Sequence, residues 1–71
     1  MWYRQTLEVV RIRHALRALL AQGTAADSSV VDEMLDELRT IALDDSHPAG
    51  GVDLRREYER WRARALHFRE N

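Results

Sequence analysis

The sequence predicts a small all-α fold, and three observations carry that prediction. Apolar residues recur at helical spacing in three separate stretches. Glycine, proline and small polar residues fall between those stretches, around residues 23–29 and again in "DDSHPAGG". Strand signals are missing: there is no alternating apolar run and no Asn-Gly turn. At 71 residues the chain makes one domain at most, residues 1–71. The expected form is a three-helix bundle, or an extended helical hairpin with a third helix, dimeric in either case.

The first helix is expected over residues 2–22, with Gly23 as the residue that ends it. It carries two apolar faces. Trp2, Val9, Ile12, Leu16, Leu19 and Leu20 form one. Tyr3, Leu7, Val10, Ala18 and Ala21 form the other, with His14 among them and arginines in the strips between.

The second helix is expected over 28–43. Asp27, Ser28 or Ser29 can cap it, and Ser29 followed by Asp32 has the form of a capping box. Val31, Met34, Leu35, Leu38, Ile41 and Ala42 fall in one stripe, with acidic residues opposite. Residues 44–52 hold the single proline and two glycines and are expected to be a flexible linker. Asp53 is the expected N-cap of a third helix over 53–69. Leu54, Tyr58, Trp61, Ala65 and Phe68 are spaced 4, 3, 4, 3 and make its core seam. Arg55–Glu59 and Glu57–Arg60 stand at helical pairing distance on its remaining surface.

Size bears on function. A domain of this length buries only about 60% of its unfolded surface, so its own core is marginal. Such chains usually need disulfides, a metal or a partner. Cysteine is absent, which removes the first and weakens the second. A three-helix bundle covers one broad face of each helix, so the second face of the first helix needs another surface. Burying its aliphatic side chains is worth about 1.5–3 kcal/mol each.

Composition is globular, with 45% hydrophobic and 32% charged residues. No apolar run approaches the roughly 20 residues of a membrane span. Arginine interrupts the apolar stretches near the N-terminus, which does not suit a signal peptide, and a cytoplasmic location is expected. All eleven basic residues are arginine, a usage that fits a GC-rich bacterial or phage genome. Net charge is −1 but unevenly spread: +3 over residues 1–23, −6 over 24–47 and +2 over 48–71. The acidic middle is expected to face solvent or to receive arginines of the flanking helices, within one fold or across a dimer.

Chemistry-bearing patterns are sparse. His14, His47 and His67 lack metal-ligand spacing, so no metal or other cofactor is expected. Asp32, Glu33, Asp36 and Glu37 are dense, but acid–base catalysis needs a concave site that so short a helical chain hardly provides. No phosphate-cradling glycine loop or nucleophile elbow is present. No enzyme and no small-molecule substrate is expected. The expected function is protein–protein interaction, as a small adaptor, inhibitor or chaperone with a regulatory role. Tyr3, Leu7, Val10, His14 and Arg17 make the contact surface, in a homodimer or with another protein. The alternative is a DNA-binding regulator using Arg56, Arg60 and Arg64 of the third helix. Three helices with an arginine-rich third resemble helix-turn-helix domains in architecture. The long second connection and the negative net charge weigh against that reading.

Overall fold

α1 runs from Trp2 to Ala21, α2 from Ser28 to Leu43 and α3 from Val52 to Glu70, with a short 3-10 turn at Gly23–Ala25. The computed structural model describes the backbone of residues 2–70, and the side chains of residues 7–67 except Thr24. The side chains of Trp2, Tyr3 and Phe68, read above as face or seam residues, lie outside the described residues. No strand occurs among the described residues, and the fold is a small all-α three-helix bundle.

The helices bury the stripes that helical periodicity marks. Val9, Ile12, Leu16 and Leu20 of α1 meet Val31, Leu35, Leu38, Ile41 and Ala42 of α2 and Leu54, Trp61 and Ala65 of α3. Leu19, Met34 and Tyr58 pack against them, partly buried. No polar or charged residue is buried among the described residues, so hydrophobic burial alone drives assembly of the core. Leu16 and Leu38 are fully enclosed at its centre.

Local chemistry sets the turns. Gly23 has φ 61°, a left-handed conformation that glycine adopts without steric cost, and it turns the chain out of α1. Asp27 caps α2: its carboxylate accepts from the Ser29 backbone N–H at 3.0 Å and from the Ser29 hydroxyl at 2.8 Å. The expected capping box between Ser29 and Asp32 gives way to this arrangement, because the Ser29 hydroxyl is already turned back toward Asp27. These hydrogen bonds also hold the Asp27 carboxyl below its ordinary range.

The same Asp-x-Ser device recurs where α2 ends. Asp44 accepts from the Ser46 N–H at 3.0 Å and the Ser46 hydroxyl at 2.6 Å. From there the chain between α2 and α3, read from the sequence as a flexible linker, is tied down at successive points. Gly50 N–H donates to the His47 carbonyl, and Gly51 N–H donates back to the Ala42 carbonyl of α2. A Cβ on Gly50 would run into the carbonyl oxygens of Asp44 and Ile41, so only glycine allows this closure. α3 begins at Val52, one residue ahead of the expected Asp53. Asp53 instead sits in the first turn, where a carboxylate suits the positive end of the helix dipole.

α2 is antiparallel to both neighbours. Its C-terminal residues Thr40 and Ile41 lie beside Glu8 and Ile12, and its N-terminal Asp32 lies beside Leu66. α1 and α3 are parallel, with Arg13 at the level of Glu57.

Gly50→Ala is expected to cost about 1–3 kcal/mol, as for an overpacked site, which in a domain of this size is a fall in Tm of at least ~4 °C. Thermal unfolding followed by circular dichroism checks this, with exposed Ala63→Gly as a comparison that leaves the loop alone.

Candidate functional site

Two surface features converge on the side of α1 that faces away from α2. The first is the outward face of α1. Leu7 is 54% exposed. Val10 is half-buried, and His14, Arg17, Ala18 and Ala21 are exposed. Residues 7, 10, 14, 18 and 21 recur at helical spacing, so these side chains share one face. Of the contact residues expected from sequence, the structure thus brings Leu7, Val10, His14 and Arg17 together outside the core. Tyr3 belongs to the same periodicity, but its side chain lies outside the described residues.

The second feature is an open cleft between α1 and α3, about 350 Å³ in volume, lined by Arg13, Arg17, Glu57, Arg60, Trp61 and Arg64. Its floor is a fixed network. Arg13 donates from Nε to Glu57 Oε2 and from Nη2 to Oε1, both at 2.6 Å. Trp61, buried in the core, donates its indole N–H to Glu57 Oε2 at 3.2 Å. The tryptophan is thereby satisfied at its polar end while its ring fills the core. The Arg64 guanidinium stacks 4.8 Å above that ring.

Arg13 holds the Glu57 carboxyl below its ordinary value, and Glu57 in turn raises Arg13. Two of the four arginines are thus occupied, one by a carboxylate and one by an aromatic face. Arg17 and Arg60 make no ion pair among the described residues. The cleft therefore keeps a surplus of positive charge around one neutralised centre.

Two pairings expected on α3 form differently. Glu57 turns to Arg13 rather than to Arg60, because the α1 guanidinium offers a two-pronged bond that a residue on the same helix does not. Arg55 turns to Asp45 and the Ala42 carbonyl rather than to Glu59, because α2 ends beside it. Glu59 pairs instead with Arg62 at 3.8 Å. Glu33, Asp36 and Glu37 are exposed and make no ion pair among the described residues. The bundle is consequently polarised, basic along α1/α3 and acidic along α2.

Arg56, Arg60 and Arg64, the nucleic-acid candidates, are exposed at successive turns of α3. Only Arg60 and Arg64 line the cleft, where they meet Arg17 of the other proposed surface. Sequence reasoning placed these arginines on two rival sites, and the fold merges them. It passed over Arg13 and Glu57 as members of a site, and no local signal marks that pair, 44 positions apart.

His47 also has a defined place. Its Nδ1 accepts from the Ala49 N–H at 3.0 Å, which leaves the proton on Nε2, 3.2 Å from Glu8 of α1. It is thus a clasp between the loop and α1. Among the described residues no group of three His, Asp or Glu could hold a metal ion. No helix there is long and apolar enough to cross a membrane. Compared with protein-family models, curated proteins and solved structures, the chain finds no match in any of the three.

The sign of the acid dependence follows from Glu57. Its folded pKa lies below the ordinary 4.5, so its contribution is present above that value and is lost as acid protonates it. Glu57→Gln is expected to lower stability at neutral pH by about 1 kcal/mol, a modest figure because Arg13 is partly exposed. The gap from wild type should narrow as pH falls below 4.5. Urea denaturation of both proteins across that range measures it.

Proposed function

We propose that the protein is a non-enzymatic interaction module, a small regulatory adaptor, inhibitor or chaperone that binds a protein surface through the outward face of α1. The observation that carries this reading is Leu7, a large aliphatic side chain more than half exposed beside half-buried Val10, on a helix whose opposite face already fills the core. The partner is a second copy or another protein, with Arg17 supplying hydrogen bonds at the rim as arginine commonly does. We place this activity in the cytoplasm of a bacterium or phage-infected cell, with no cofactor and no small-molecule substrate. The clefts support this assignment: they are open, and the α1/α3 cleft is lined by arginines, one carboxylate and tryptophan rather than by a nucleophile beside a base.

A second reading has an observation of its own. Arg60 and Arg64 join Arg17 in one cleft, and a row of guanidinium groups suits phosphate. In that reading the protein is a small DNA-binding regulator, with Arg56 extending the contact. The acidic α2 on the other side and the net charge of −1 favour the first reading, since nucleic-acid affinity rests on phosphate neutralisation.

The double substitution Leu7→Asp with Val10→Asp is expected to weaken association about a hundredfold, taking ~1.4 kcal/mol as tenfold, while helicity changes little. Chromatographic sizing with light scattering, alongside circular dichroism, reads both quantities. Unchanged association in a folded variant rejects the α1 face. Loss of DNA retention at low salt in Arg60→Glu with Arg64→Glu, after retention by the wild type, selects the second reading.

A further inference from the structure

We infer that the occupant of this surface is the acidic α2 face of a second copy, so that the chain associates head to tail. The inference rests on the α1-face reading above and adds the partner. The receiving side offers exposed Arg17 and Arg60 at the mouth of the cleft and Leu7 further along α1. The presenting side is the outer stripe of α2. Glu33 and Asp36 are exposed on it without an ion pair among the described residues, and Leu43, two turns beyond Asp36, is 51% exposed.

The two sides match in register as well as in charge. From Arg17 back to Leu7 is ten residues, and from Glu33 forward to Leu43 is also ten, or about 15 Å in either helix at ~1.5 Å per residue. An incoming α2 laid antiparallel to α1 therefore sets Glu33 at the level of Arg17 while Leu43 reaches the level of Leu7. Asp36 then stands at the level of His14, within reach of Arg60. The antiparallel direction is the one α1 and α2 already adopt inside the bundle. Leu43 thus meets Leu7, and Glu33 meets Arg17, at matching heights.

A phosphate backbone accounts for less of this surface. It offers nothing for Leu7 and Val10, the aliphatic part of the α1 face. Because the presenting and receiving faces are different sides of one chain, the contact is heterologous. One copy bound leaves a receiving face and a presenting face open, so association continues past a dimer unless a ring closes. Its strength falls with salt, since the charged groups involved are exposed.

Sedimentation velocity on the full chain and two charge-reversed variants tests this. Wild type is expected to show species larger than a dimer at low salt that dissociate in molar salt. Arg17→Glu with Arg60→Glu loses the receiving face, and Glu33→Arg with Asp36→Arg loses the presenting face. Each variant alone is expected to be monomeric, and an equal mixture is expected to assemble again, because the acidic α2 of the first variant meets the basic cleft of the second and the two reversed faces are complementary to each other. Renewed assembly in the mixture also establishes that both variants are folded.

A wild type that stays monomeric at low salt, or variants that fail to pair while keeping native circular dichroism, overturns the inference. So does nucleic-acid retention by the wild type that Arg17→Glu with Arg60→Glu abolishes. If the Leu7→Asp, Val10→Asp variant loses association but the charge-reversed variants do not pair, the α1 face stands and the α2 occupant falls. If the variants pair and Leu7→Asp with Val10→Asp has no effect on wild-type assembly, the aliphatic part of the α1 reading falls and the charge match stands.

Discussion

The two-pronged bond between Arg13 and Glu57 is the constraint around which α1 and α3 are arranged. α1 and α3 each share a long apolar seam with α2, but their own line of contact is bordered by arginines. Parallel helices lined with like charge would splay. A single carboxylate, clamped by Arg13 from one side and by the Trp61 indole from the other, bridges the two helices at one level. It also gives the polar end of a buried tryptophan its partner.

That economy has a consequence at the surface. One carboxylate is engaged by Arg13 in a two-pronged bond, so Arg17 and Arg60 remain at the cleft without an ion pair of their own among the described residues. Meanwhile Glu33, Asp36 and Glu37 of α2 are exposed. A chain with net charge −1 becomes a molecule with a basic side and an acidic side. Exposed charges of this kind add little to stability, but they decide which surfaces meet and in what orientation. With Leu7 on the basic side and Leu43 on the acidic one, each side also carries an apolar point at which contact can exclude water.

The loop between α2 and α3 supports this arrangement at one end of the bundle. Asp44, Ser46 and His47 organise it from within, while the Ala42 carbonyl receives Gly51 and Arg55 from without. His47 then reaches Glu8 of α1, so the loop touches the first helix as well as joining the other two. Gly50 makes this closeness possible through the lack of a side chain, not through unusual backbone angles.

Much of the fold was legible in the sequence, because helical periodicity is a local property. Val9, Ile12, Leu16 and Leu20 had to share a face whatever surrounded them, and so did Val31, Leu35, Leu38 and Ile41. Gly23 could be read as the end of α1 for the same reason, since its left-handed turn depends only on its own backbone. The outward placement of Leu7 and His14 followed from the same periodicity once the inner face was known.

The pairing of charges was decided only by tertiary structure. Glu57 had Arg60 within reach on its own helix, and Arg55 had Glu59, yet both turned to groups brought near by packing. Which guanidinium a carboxylate meets depends on the rotation and height of neighbouring helices. The hydrophobic stripes set those quantities together, and no single segment encodes them. For that reason the sequence could name the arginines but could not gather Arg17, Arg60 and Arg64 into one cleft.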